Sequence, residues 1–260
     1  MIVRDARMII AFTVNNRPAY LRETLESWSQ VRGIGKCLLV FRCEPGCEQA
    51  VALCKAVEFA PRMVIRNESR LGVLASPHAA LADAFDLGQR LSSPAARFAV
   101  LAEEDLIVSP DVLEYFTWAQ RYEADPAVLG VTTYQHDEQP GAIAGAGPAD
   151  WTDDDQWHFW VWGTWRDRWD RLLRDTWDTM YTENGGGEAQ RGWDWGFRNR
   201  LVIGAGMKMI APSLCRSQHI GRYGGTHATP DQFEGLLSPC FAGLDVPPQD
   251  YQEVASCPAR

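Results

Sequence analysis

Nowhere in the 260 residues does an apolar run approach the roughly 20 needed to cross a bilayer. The apolar stretch nearest the N-terminus, Met8–Val14, is too short for a signal-peptide core with a cleavage site behind it. These absences predict a cytoplasmic protein without a membrane partner. Positive charge is also scarce. The 25 Lys and Arg stand against 34 Asp and Glu, for a net charge of −9 and a pI of 5.1. That balance argues against the broad basic footprint of proteins held to nucleic acid by non-specific charge, while a local basic patch stays open. No cysteine pair has C-x-x-C spacing. The seven cysteines are odd in number, and Cys43, Cys47 and Cys54 cluster without a second cluster or a nearby histidine to complete a zinc site. Free, mostly buried thiols in a reducing compartment are expected. No internal repeat is present.

Tryptophan is what the chain has in excess. Nine of its eleven tryptophans fall between residues 151 and 195. Such enrichment suits a carbohydrate-facing or strongly packed region. Hydrophobic residues at 46% and charged residues at 23% are otherwise ordinary for a globular protein. The length allows one large domain or two small ones.

Met8–Val14 is a continuous apolar run, as expected of a strand buried on both faces. Asn15-Asn16-Arg17-Pro18 breaks it, and Ala19–Trp28 follows with helical spacing. Lys36–Arg42, Met63–Arg66 and Arg97–Ala102 read as further strands; Cys47–Phe59 and His78–Leu91 read as the intervening helices. Alternation of this kind predicts an α/β fold with a mostly parallel, Rossmann-like sheet flanked by helices. Ligands of such sheets lie at the carboxyl ends of the strands. Arg17, Glu44 and the run Glu103-Glu104-Asp105 therefore converge on one crevice. Beyond residue 110, Pro110–Arg121 reads as a helix, Val128–Tyr134 and Lys208–Ala211 as strands, and Gly141–Gly147 as a loop. The whole, 1–260, is expected as one domain, with residues 1–110 binding a nucleotide and 111–260 supplying the second substrate and catalytic groups.

Three constellations carry chemistry. Glu103-Glu104-Asp105 follows a buried strand, and three adjacent acids repel one another. A hard divalent cation bridging a diphosphate would account for them, and so would a solvated turn or a helix cap near Pro110. Gly192-Trp193-Asp194-Trp195-Gly196 holds an acid between two large aromatics, where limited solvent raises its basicity toward that of a general base. The alternative is an acid bonded to a backbone turn. In Gly221-Arg222-Tyr223-Gly224-Gly225-Thr226-His227 the glycines allow a mobile loop, Arg222 could meet a phosphate, and His227 could ligate a metal or be structural. The stripe Trp165, Trp169, Leu172, Leu173, Trp177 reads as core, and Asp153-Asp154-Asp155 as a solvated loop.

Taken together, these motifs resemble the GT-A glycosyltransferases, and among them the N-acetylglucosaminyltransferase family GT13. The resemblance runs from residue 8 to 230 and is carried by four ordered stretches. They are Ile9–Pro18, with its Asn-Arg pair; Glu103–Phe116, whose acids precede Pro110-Asp111 and Tyr115-Phe116; Trp193-Asp194-Trp195; and Ile220–His227. The resemblance implies a UDP-sugar donor, Mn²⁺ (or Mg²⁺), inversion at the anomeric carbon, and transfer of a hexosyl or N-acetylhexosaminyl group. It makes Asp105 the direct metal ligand, sets Glu103 and Glu104 beside the donor with Glu104 at the ribose or sugar, places Arg17 and Glu44 at the nucleotide, and makes Asp194 the catalytic base. His78 matches a donor-contacting histidine in a poorly aligned stretch. This chain departs from the family in three ways. Glu104 stands where the metal motif has Asp, one of two acids between the tryptophans is missing, and the membrane anchor and stem are absent. The last of these suits a bacterial or phage enzyme.

Two other classes compete. A nucleotidyltransferase on a similar sheet usually carries a Gly-rich loop after the first strand, where this chain has Asn15–Pro18. A non-catalytic carbohydrate-binding protein could use the tryptophans, but it leaves Glu103–Asp105 unexplained. The acceptor stays open among a glycan, a protein, a small molecule and a modified DNA base.

Overall fold

The computed structural model describes residues 6–135, 145–149, 158–182, 192–225, 230, 233, 237 and 240–253. Its centre is β1, Ile9–Val14, five of whose six residues are buried. An apolar run covered on both faces belongs inside a sheet, and β1 lies between two parallel neighbours. One is β2 (Leu38–Cys43), with Ile9 opposite Leu38. The other is β4 (Phe98–Glu103), with Thr13 opposite Glu103. β3 (Arg62–Arg66) pairs with β2 and closes this side of the sheet. Its exposed Arg62 and Arg66 discourage pairing with another chain.

The crossovers are α1 (Pro18–Ser29), α2 (Glu48–Ala56) and α3 (Gly72–Arg90). Proline at the first position of α1 costs no hydrogen bond, because that N–H has no helical acceptor. α3 begins six residues before the expected His78, and Pro77 lies inside it. Its buried face, including Ala80, Leu81, Ala84, Phe85 and Gly88, has the spacing that covers a sheet.

Beyond β4 the order is mixed. β5 (Leu106–Val108) leaves the main sheet and pairs antiparallel with β10 (Ser217–His219). α4 (Val112–Ala119) follows, then β6 (Val128–Thr132) and β7 (Gly145–Ala149). β8 (Trp162–Trp165) runs antiparallel between β4 and β6. α5 (Arg166–Arg168) continues as a π-helical turn, and α6 (Trp177–Thr182) and α7 (Trp193–Phe197) precede β9 (Lys208–Pro212). β11 (Gln252–Glu253) pairs with β7. The nine-stranded order is β11-β7-β9-β6-β8-β4-β1-β2-β3. The expected mostly parallel sheet flanked by helices is therefore observed.

Several expectations need correction. Gly145–Gly147 belongs to β7 rather than to a loop, and residues 141–144 lie outside the described set. Trp165 ends a strand, because Trp162–Trp165 is buried throughout and pairs on both sides. The tryptophan stripe is nevertheless core as expected: Trp169 and Leu173 are fully covered, Trp165 and Trp177 nearly so, and Leu172 packs partly buried against the core. The six described cysteines are not joined in disulfides and five of them are buried, while Cys257 and Asp153–Asp155 lie outside the described residues. Among the described residues no helix is long and apolar enough to cross a membrane.

Candidate active site

β1, β2 and β4 run parallel, so their carboxyl ends open on one edge. β4 ends at Glu103, and the next two residues turn before β5. The turn folds Glu104 and Asp105 inward, leaving them 1% and 2% exposed. Charges this deep require partners. Glu104 accepts from Asn15 N at 2.7 Å and Arg17 Nε at 2.6 Å, and its carbonyl accepts from Thr24 Oγ1. Asp105 Oδ2 accepts from Arg17 Nη1 at 2.7 Å and faces His219 Nε2 at 3.2 Å. One guanidinium thus spans two carboxylates.

The acids respond differently to burial. Glu103 is pushed up to about 8, first by burial, then by the charge of Asp105 and, more distantly, Asp194. Glu104 is also raised, because burial outweighs its contacts with Arg17. Burial pushes Asp105 upward too, but the His219 hydrogen bond and the Arg17 charge together hold it below the usual carboxylate range. Arg17 is raised: burial works against its charge, and Asp105 and Glu104 more than offset that.

Two buried polar atoms here have no hydrogen-bond partner, Asp105 Oδ1 and His219 Nδ1. Gly221 lies directly against the Asp105 carboxylate. A Cβ at that position would stand 2.0 Å from Asp105 Oδ2. Only glycine leaves the carboxylate room, and Ile220 N fixes the approach by donating to Asp105 O at 2.9 Å.

Asp194 reaches the same cavity from α7. The cavity encloses about 350 Å³ and is lined by Arg17, Glu44, Glu103, Glu104, Asp105, Asp194 and His219, among others. α7 is placed by Trp193, which stacks on Trp177 at 5.0 Å and on Trp162 at 5.7 Å. Gly192 lets the next turn close, since a Cβ there would sit 2.2 Å from Asp194 Oδ1. Trp195 is half-buried beneath Arg198, whose guanidinium lies 5.2 Å from the ring.

His158, Phe159 and Trp160 complete an aromatic wall. Trp160 stacks on His158 at 4.4 Å and on His219 at 5.4 Å. Its carbonyl accepts from Thr133 Oγ1, and the next carbonyl, Val161 O, accepts from Thr133 N. Val161 has φ +35°, a strained value for a β-branched residue, held by these bonds.

The structure brings Arg17, Glu44, Glu103, Glu104, Asp105 and Asp194 together, as the sequence predicts. Glu44 is already engaged, accepting from Asn67 Nδ2, Leu71 N and Gly72 N. His78 is not brought into the cavity lining. Its ring packs on Trp169 at 5.1 Å and Trp177 at 5.5 Å, and Nε2 meets Arg174 O at 2.9 Å. Arg222 is exposed beside Tyr223 and Phe233. His227 lies outside the described residues. The residue that sequence reasoning missed is His219. Its only sequence signal is its place immediately before the Ile220–Gly221 motif.

Among the described residues no three His, Cys, Asp or Glu side chains are placed to hold a metal ion. The fit is of another kind. Asp105 offers one unpartnered buried oxygen, and His219 shares its other oxygen. Mg²⁺-type sites commonly draw one or two ligands from protein and the rest from substrate phosphates and water. Asp105 and His219 fit a cation held that way.

No protein-family model matches the chain, and no curated protein matches it. Solved structures do. A mannosyltransferase from Pyrobaculum calidifontis, PcManGT, in complex with GDP-Man and Mn²⁺, is 16% identical over 81% of this chain and 56% of its own, with a TM-score of 0.52. This chain thus spans little more than half of that protein. Mouse xyloside xylosyltransferase 1 is 11% identical over 78% of this chain and 84% of its own, TM-score 0.44. 4-Diphosphocytidyl-2C-methyl-D-erythritol synthase from Anaerococcus prevotii is 9% identical over 80% and 90%, TM-score 0.43. At 16% identity the likeness to PcManGT is one of fold alone, and the fold is the GT-A type that the sequence motifs predict.

Proposed function

We propose that the protein is an inverting, metal-dependent glycosyltransferase that moves a sugar from a UDP-sugar to a hydroxyl acceptor. The observation that carries this reading is the meeting of Asp194 with the buried Glu104–Asp105 pair in one cavity at the carboxyl ends of β1 and β4. A Mn²⁺ or Mg²⁺ held by Asp105 and His219 would neutralise the departing nucleoside diphosphate. The ligand role expected of His227 thus falls to His219 in this reading.

The chain's own residues do the rest. Arg17 orients both acids and presents positive charge to the donor. Asp194, which lines the cavity from α7, accepts the proton of the acceptor hydroxyl. The aromatic wall and Gly225 of the 221–225 segment narrow access for water, so that hydrolysis does not compete.

A panel of nucleotide sugars with Mn²⁺ or EDTA tests the proposal, read by melting temperature and by release of nucleoside diphosphate. The expected outcome is metal-dependent stabilisation by a UDP-sugar and nucleoside diphosphate release once an acceptor is supplied. Release of pyrophosphate would instead indicate nucleotidyl transfer. Sugar binding indifferent to metal and nucleotide would indicate a carbohydrate-binding protein.

A further inference from the structure

The cavity is electrically divided. One end holds Glu103, Glu104, Asp105 and Asp194; the other, at the carboxyl ends of β2 and β3, holds Arg70 and the first turn of α3. Two groups at this second end are unspoken for. Arg70 is exposed and has no ion pair among the described residues. Ser76 is only 4% exposed, lines the cavity, and its Oγ has no hydrogen-bond partner. A buried hydroxyl without a partner is costly unless a ligand completes it.

The chemistry of that ligand is constrained. Glu44 stands in this end with its carboxylate already bonded to Asn67, Leu71 and Gly72. Its charge repels a second anion, so phosphate and carboxylate groups are disfavoured despite Arg70. Guanidinium offers only donors, so the partner presents acceptors. Val73, Leu74 and Pro77 supply an apolar face beside them. A planar, neutral ring carrying carbonyl oxygens meets all three conditions. The site lies two strands from the β1–β4 end, on the order of 10 Å at ordinary strand spacing. That is within reach of a nucleoside whose phosphates lie at Asp105.

We infer that Arg70 and Ser76 read the nucleobase of the donor, selecting bases that present a carbonyl oxygen at C4 of a pyrimidine or C6 of a purine (uracil, thymine, guanine) over those with an amino group at that position (cytosine, adenine). Glu44 acts here as a scaffold that fixes the loop carrying Arg70. The inference rests on the nucleotide-sugar reading above.

The test is competition calorimetry in Mn²⁺ with inorganic pyrophosphate, UDP, dTDP, GDP, CDP and ADP on the wild type, Arg70→Met and Ser76→Ala. Arg70 is exposed and Ser76→Ala removes a single unbonded atom, so both variants should fold. In the wild type the best of UDP, dTDP and GDP should bind about tenfold more tightly than CDP or ADP, the size of one good hydrogen bond. Each substitution should erase most of that preference and leave pyrophosphate affinity unchanged. Equal affinity for all five nucleotides alongside pyrophosphate binding overturns this inference alone, as does a preference that survives both substitutions. Failure of pyrophosphate and every nucleotide to bind overturns this inference and the proposed function together.

Discussion

On the sheet side of the cavity, Glu104 and Asp105 are held by hydrogen bonds and ion pairs from Asn15, Arg17 and His219. On the α7 side, Asp194 is positioned by the packing of Trp193 against Trp162 and Trp177. The first arrangement stores unsatisfied charge: three acids face one arginine, and Asp105 Oδ1 has no partner. The second stores almost none, since ring contacts worth about 0.5–1.5 kcal/mol each fix the helix without demanding a ligand. The sheet side is therefore built to change its electrostatics when a ligand arrives, and the aromatic side to stay still.

The largest effect expected from this division falls on Asp194. Asp194→Asn keeps the shape of the side chain and removes its basicity, so turnover should fall about 10²- to 10⁴-fold. Melting temperature and nucleotide affinity should hold, because the tryptophans position α7. Steady-state kinetics beside a calorimetric titration decide the matter. Loss of nucleotide affinity in this variant would show that Asp194 belongs with the donor acids rather than opposing them.

Arg17→Met probes the sheet side. It leaves Glu104 and Asp105 buried without their cation, at a cost of about 3–5 kcal/mol in metal-free protein. Mn²⁺ should then raise the melting temperature of the variant more than that of the wild type, because in the wild type the arginine already supplies positive charge. Equal Mn²⁺ shifts in both proteins would remove Asp105 as the metal ligand and break the contrast drawn between the two walls.

The same contrast governs what could be read from sequence. Ile9–Val14 and Phe98–Glu103 are apolar strands followed by polar residues, and parallel pairing places those residues on one edge by topology alone. That is why Arg17, Glu44 and the three acids could be assembled from spacing. β8 escaped because Trp162 and Trp165 stand at a helix-like interval, and its strand character comes from β4 and β6, its partners on either side. β5 and β10 escaped because each has three residues and they pair with each other across more than 100 positions. His219 rides on β10, so its meeting with Asp105 has no local signature. His78 shows the converse: its half-buried ring packs on Trp169 and Trp177 and does not line the cavity.

The smallest predicted effect tests the seam between the walls. Thr133 Oγ1 donates to Trp160 O at 2.8 Å and meets Ser217 Oγ at 2.6 Å, linking the aromatic wall to the strand that carries His219. Thr133 O accepts from Arg216 N, and Arg216 is fully buried against Asp111, which anchors that strand from the far side. Thr133→Val keeps the volume and deletes the hydroxyl, so it should cost about 1–3 kcal/mol by leaving the carbonyl of Trp160 without this donor. With Val161 held at φ +35°, the segment should relax once that bond is gone. The Trp160–His219 stack would then loosen, and Mn²⁺ affinity should fall severalfold with nucleobase preference unchanged. A variant that loses stability but keeps its full Mn²⁺ affinity would show that Asp105 and Arg17 hold His219 in place without help from the aromatic side.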